Sequence, residues 1–138
     1  MEFPKSGLTT GAYYKFTVQA FNIIGDGPQS SEVSIIAATV PGAPAQPTLL
    51  IATKELIGIA WNDPIELGGT TLDTFLVQMD GGSSGSTSFT TIATVTNSGT
   101  DTYTTIPATL PLVTGDVYTF KVIAQNVVGD SIASPTFS

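Results

Sequence analysis

Cysteine, histidine and arginine are all missing from this sequence. Without cysteine there is no disulfide, no thiolate nucleophile and no thiolate metal site. Without histidine the usual general base and the imidazole metal ligand are gone as well. The cations are four lysines, Lys5, Lys15, Lys54 and Lys121, against eleven carboxylates, for a net charge of −7. Such a surface repels phosphate backbones and anionic lipid headgroups, which argues against nucleic-acid and membrane-surface partners. No stretch approaches the ~18 consecutive apolar residues of a membrane span, so no membrane insertion is expected. Met1 to Gly7 also lacks the apolar run of a signal peptide, so an exported protein would carry this passage as an internal piece of a longer chain.

Charge itself is scarce, at 11% of residues, against roughly 25% in typical soluble proteins. Hydroxyl side chains take its place, with 22 threonines and 12 serines among 138 residues. Threonine favours strands because its branched β-carbon suits the pleat. With 41% hydrophobic residues, the chain can bury one core of ordinary size, with a remainder left over.

That remainder is a repeat. The stretch Leu8–Ser34 aligns without a gap on Leu112–Ser138 at an offset of 104 residues, with 12 of 27 positions identical. Its period is that of a domain. Within the second copy, Tyr118, Phe120, Val122, Ala124 and Asn126 alternate with Val117, Thr119, Lys121, Ile123 and Gln125. This is the period of a half-buried strand, read here as starting at Asp116. Between the copies, "VPGAPAQP" at Val40–Pro47 excludes helix and interrupts any ladder, which marks a boundary. Short segments follow between turn signals: "PTLLIAT", "ELIGIAW", "LDTFLVQMD", "TSFTTIATV" and "TDTYTTI", then the long strand and "SIASPTFS". "GGSSGS" at Gly81–Ser86 reads as a flexible turn and "NSG" at Asn97–Gly99 as another. No helical period is sustained, so the expected class is all-β, a seven-stranded sandwich.

Two passages carry a resemblance to a known family. "IGIAWNDP" places Ile57, Ile59 and Trp61 at alternate positions before a proline, and "LVTGDVYTFKVIAQNVVGDS" has the form Leu-x-x-Gly-x-x-Tyr-x-Phe-x-Val-x-Ala-x-Asn-x-x-Gly. Both resemble the fibronectin type III family. The resemblance implies an immunoglobulin-like β-sandwich in which Trp61 and Phe75 lie in the core with Phe120. It also implies that Tyr118 fills a tyrosine corner, with its hydroxyl bonded to backbone near Leu112, and that Tyr14 stands in the same relation to Leu8. It covers about Pro44 to Ser138 completely, and residues 6–39 as a partial copy. The expected organisation is therefore a partial repeat of two strands in residues 1–40, a Pro/Gly linker at 41–47, and a full domain over 44–138. The strand near Tyr103–Ile106 lacks clean alternation.

Carboxylates and hydroxyls are the chemistry that remains. Asp63 and Glu66, three apart, are weak candidates for an acid–base pair, since acidic loop residues are commonly just solvated. Asp26 and Asp130 could offer oxygens to calcium, but no D-x-D-x-D-G spacing is present. "GGSSGS" is not a phosphate loop. There is no Arg-Gly-Asp tripeptide and no Asn-x-Ser/Thr acceptor, while the hydroxyl-rich stretch Ser83–Thr105 could carry O-linked sugar. No catalytic residue, cofactor or metal is therefore assigned.

Two classes of function stay open: a non-catalytic structural or adhesive tandem-repeat module of a larger extracellular or cell-surface protein, and a spacer or accessory domain of a secreted polysaccharide-degrading enzyme. The second calls for a flat platform of exposed aromatics, for which Phe21, Phe89 and Tyr103 are the candidates. A two-strand hairpin with one apolar face also needs cover. Tyr14, Phe16 and Val18 are the expected partner edge, facing neighbouring repeats or other copies of the chain, in a homo-oligomer or a fibre.

Overall fold

The structure, a computed structural model, describes residues 4–82, 88–99, 101–107 and 109–138. The turn expected at Gly81–Ser86 lies outside them from position 83 onward. All regular structure among the described residues is β.

Two antiparallel sheets form a sandwich. One has the order β5-β6-β9, from β5 (Thr48–Ala52), β6 (Ile57–Trp61) and β9 (Asp101–Thr104). The other has the order β11-β10-β7-β8, from β7 (Leu72–Met79), β8 (Thr90–Thr96), β10 (Phe120–Asn126) and β11 (Gly129–Asp130). This is a seven-stranded, immunoglobulin-like arrangement. Between the sheets lie Ile59, Trp61, Leu72, Phe75, Val77, Met79, Tyr118, Phe120, Val122 and Ala124. Trp61 meets Phe75 edge to face, with ring centroids 5.7 Å apart, the geometry favoured by the ring quadrupoles. Leu112 is half-buried and packs on the margin of this core.

Alternation drives the strands inward, and two bulges correct it. Leu72 and Phe75 have opposite parity, yet both are buried. The β7–β10 ladder pairs Thr74 with Gln125 but Leu72 with Asn126, so Asp73 is the extra residue that restores the inward face. In β8 the register skips Ile92 in the same way, between the Val77–Ala93 and Gln78–Thr91 pairs.

The long strand expected from Asp116 pairs only from Phe120. The two ladder residues of β11 precede the expected final segment, Ser131–Ser138, which joins β10 through an isolated bridge, Phe137 to Phe120. Strand β9, whose alternation is obscure in sequence, alternates cleanly in space: Asp101 and Thr105 are buried and Tyr103 is half-buried, while Thr102 and Thr104 face out.

Ahead of the sandwich stands one long hairpin in two ladders. Its ascending arm is β1 (Tyr13–Phe16) and β2 (Gln19–Asn22), and its descending arm is β3 (Gly25–Gln29) and β4 (Val33–Ile36). β1 pairs with β4 and β2 with β3. Where the ladders break, the Ser30 hydroxyl accepts the Val18 N–H at 2.9 Å, and the Ser30 N–H reaches the Val18 carbonyl at 2.8 Å.

Candidate functional site: an uncovered sheet face and its joint

The two hairpins share their internal bonding as well as their sequence. Tyr14 Oη accepts the Thr9 N–H at 2.8 Å, and Tyr118 Oη accepts the Val113 N–H at 2.8 Å. Asn22 Oδ1 takes the N–H groups of Ile24 and Gly25, and Asn126 Oδ1 takes those of Val128 and Gly129. The Ser30 hydroxyl bonds the Val18 N–H at 2.9 Å, and the Ser134 hydroxyl bonds the Val122 N–H at 3.0 Å. Each pair is separated by the same 104 residues. The sequence identity therefore marks a conserved local bonding plan: a corner tyrosine, an Asx turn and a serine at the ladder break.

Burial separates the copies. Tyr118, Phe120, Val122 and Ala124 are buried beneath β6 and beside β7. Tyr14 and Phe16 are only half-buried, Val18 is 74% exposed, and Ala20 is exposed. Across the ladder, Ile35 sits opposite Tyr14 and Val33 opposite Phe16, each 52% exposed. Side chains paired across a ladder share a face, so these residues make one apolar surface. Lys15, which pairs with Ser34, lies on the other face, where its Nζ contacts Glu32 Oε1 at 2.7 Å, whereas Lys5 lies beside Tyr14, Phe16 and Ile35. Among the described residues the ascending arm also has a bare edge, since β1 pairs with β4 alone and β2 with β3 alone, whereas β10 is flanked by β11 and β7. The turn beyond it, Ile23 and Ile24, is fully or nearly fully exposed.

A polar joint connects hairpin and sandwich. Asn126 Nδ2 donates to the Thr39 carbonyl at 2.8 Å and to the Leu67 carbonyl at 3.1 Å. The Thr39 N–H bonds the Gly68 carbonyl at 2.9 Å, and the Gly42 N–H bonds the Glu66 carbonyl at 2.8 Å. Gly68 has φ +78°, and a β-carbon there would strike the Thr39 carbonyl oxygen and lie 2.8 Å from that of Val40. Gly69 comes as close to Gly11: an added β-carbon would sit 2.5 Å from the Gly11 nitrogen. The connecting segment is docked, with Pro41, Pro44 and Pro47 all buried and Gln46 Nε2 bonded to the Thr136 carbonyl at 2.6 Å. Burial at every third residue is the period of an extended polyproline-type chain.

Asn126 and the two glycines are positions that sequence reasoning did not single out as functional. The available signal was the identity of Asn22 and Asn126 within the repeat.

The carboxylates are arranged differently from their sequence spacing. Asp63 bonds Asp101, from the neighbouring strand, and Glu66 stays exposed. Asp101 is buried, and the lost hydration, followed by the hydrogen bond and like charge of Asp63, pushes its carboxyl up to about 6. Asp130 Oδ1 is taken by Gln125 Nε2 at 2.6 Å, and Asp26 is exposed. Among the described residues no group of three or more acidic side chains converges as a metal ion requires. The aromatics considered for a sugar platform are dispersed: Phe21 lies on the hairpin, Tyr103 packs on the core from the β5-β6-β9 sheet, and Phe89 lies beneath Lys121 Nζ at 4.1 Å.

No family model matches the sequence. Solved structures do match it. A crystal structure of titin domains is 22% identical, with a TM-score of 0.73 over 94% of this chain and 41% of that one. The chicken CNTN1 FN1–FN3 domains align over 98% of this chain and 44% of theirs, at 19% identity and a TM-score of 0.60. The fibronectin type III domain of human fibronectin type III domain containing protein 3 is 25% identical, with a TM-score of 0.57 over 72% of this chain and 84% of that one. The chain thus spans less than half the length of the titin and CNTN1 structures. From strand order, corner tyrosine and structural likeness together, the sandwich of this chain has the fibronectin type III fold.

Proposed function

We propose that this chain is a non-catalytic structural or adhesive tandem-repeat module of a larger extracellular or cell-surface protein. The observation that carries the reading is the joint. Thr39, Gly42, Glu66, Leu67, Gly68 and Asn126 use hydrogen bonds and close glycine contacts to fix one hairpin against the next sandwich. A free linker would leave these backbone groups to water. A module that transmits position or tension needs such a joint, and an independent binding domain does not. The 104-residue repeat supports serial arrangement, as does the alignment of nearly the whole chain on multidomain fragments of titin and CNTN1. The low charge and abundant hydroxyls suit an extracellular surface, and the bare hairpin edge suits lateral or end-to-end assembly.

Backbone ¹⁵N relaxation tests the reading. Residues 13–36 should report the same overall tumbling as the sandwich; separate, faster tumbling of the hairpin would overturn it.

A further inference from the structure

The two sheets of the sandwich end in β5, β9, β11 and β8, and the first three are blunted against pairing. β5 follows Pro47, breaks its ladder at Leu50 and leads to Lys54 and Glu55. β9 has four residues, buries the side chain of Asp101 and runs on to Pro107. β11 has only two residues, one of them Asp130, and Pro135 follows. Prolines, charges, bulges and short lengths are what keep one sheet edge from adding to another. β8 is different. It runs for seven residues, Thr90–Thr96, and no charged side chain or proline occurs from Gly81 to Thr100, in a chain of net charge −7. Its one irregularity, the bulge at Ile92, leaves Ala93–Thr96 regular.

The ladder fixes which main-chain groups of β8 point outward. The Asn97 N–H bonds the Asp73 carbonyl at 3.0 Å. Bonded pairs alternate along an antiparallel ladder, so Val95 and Ala93 bond their partners Phe75 and Val77, while Thr94 and Thr96 turn N–H and C=O to the free side. The other side of β7 agrees in phase. At its end the Asp80 N–H bonds the Thr119 carbonyl at 3.0 Å, which assigns the main chain of Gln78 and Leu76 to β10 and leaves Val77 and Phe75 for β8. Among the described residues no strand lies beyond β8. The Thr94 and Thr96 side chains are exposed, and Val95 packs on the margin of the core.

We infer that β8 is the contact through which two copies of this chain pair edge to edge. The two strands run antiparallel about a two-fold axis at Val95, so that Thr94 of one copy lies opposite Thr96 of the other and Val95 lies opposite itself. Each Thr94–Thr96 pair then exchanges both of its main-chain hydrogen bonds, and the two four-stranded sheets become one continuous sheet. Side chains set this register. Threonine meets threonine on the outer face and valine meets valine over the core, both favourable cross-strand pairs, whereas a slip of one residue would oppose Val95 to Thr94 from the wrong face. The occupant is a second copy because the edge is complementary to itself under a two-fold axis. Net charge −7 otherwise holds copies apart, and this strand brings no carboxylate to the contact. None of its residues belongs to the joint or to the hairpin.

The test uses the full chain, which has no cysteine, so a single introduced thiol reports on one position. Val95→Cys should give a covalent dimer in oxidised glutathione, because residues facing each other at a non-bonded antiparallel position have α-carbons about 4.5 Å apart, within disulfide reach. Thr94→Cys, displaced along the ladder from its own counterpart, should not. Sedimentation of the wild type over a concentration series should show a monomer–dimer equilibrium. Thr94→Pro, which removes an outward N–H and spares the β7 ladder, should weaken it about tenfold or more. Amide exchange at Thr94 and Thr96 of the wild type should slow as concentration rises, a readout that needs no variant to fold. A wild type that stays monomeric overturns the inference. So does a dimer that leaves these two amides unprotected, or one that forms disulfides equally well at positions 94 and 95. A rigid joint without a dimer removes this contact alone, and a mobile joint leaves it standing.

Discussion

Tyr14 and Tyr118 make the same hydrogen bond, each accepting the N–H of the residue five positions earlier at 2.8 Å, but in opposite surroundings. The Tyr118 ring is sealed in the core and the Tyr14 ring faces solvent on one side. A hydrogen bond beside a buried ring cannot be replaced by water as readily as one on an open hairpin. Tyr118→Phe is therefore expected to cost about 1–2 kcal/mol of global stability, and Tyr14→Phe only a few tenths. Urea denaturation followed by the emission of Trp61, the single tryptophan, reads both.

Asp101 gives the protein a pH dependence of unusual sign. Its carboxyl titrates near 6 in the folded chain against 3.8 for the free side chain, because burial, then the bond and charge of Asp63, favour the neutral form. The folded state thus holds a proton that the unfolded state releases, and this contribution to stability is complete below pH 3.8 and lost as pH rises through about 6. Relative to Asp101→Asn, the wild type should lose about 1–3 kcal/mol between pH 4 and pH 7. Thermal melts of the two proteins at both pH values measure the difference; a constant gap would contradict the assignment.

Asn126→Ala removes both donors of the joint's side-chain clamp. Two carbonyls and the turn lose partners, so a cost of about 1–3 kcal/mol is expected. The more specific consequence is motional. Order parameters along β1–β4 should fall while those of β6, β7 and β10 are kept, whereas Asn22→Ala should leave the joint unchanged.

Gly82 and Gly81 offer a paired test of backbone geometry. Gly82 has φ +77°, and a β-carbon there would lie 2.8 Å from Tyr118 Cζ, while one on Gly81 meets nothing within 4 Å. Gly82→Ala should destabilise by about 2–3 kcal/mol, and Gly81→Ala by less than about 1. Equal losses would show that the corner tyrosine does not depend on the absent side chain.

What was legible in the sequence depended on whether apolar character carried the pattern. Ile57, Ile59 and Trp61 alternate in the letters and in space. Strand β9 alternates in space alone, because two of its inward positions are Asp101 and Thr105. Thr105 is buried with its hydroxyl accepting the Ile57 N–H at 2.9 Å, a bond between strands that no hydropathy pattern reveals. The bulges at Asp73 and Ile92 reverse parity within a strand, and they become visible only when the partner's register is known. The bare face was legible because the sequence contains its covered counterpart. The joint was not, since it is made by carbonyl groups of Thr39 and Leu67, and a backbone oxygen has no residue type.

Pro41, Pro44 and Pro47 give the connecting segment one further property. Each ring fixes its own φ in the unfolded chain too, so little freedom remains to be lost when the segment docks. Its length and its twist are then set together. If successive repeats were joined in this way, each would be turned from the last by the same angle, and the array would have the symmetry of a screw. The position of any one repeat around that axis would then follow from its number in the series.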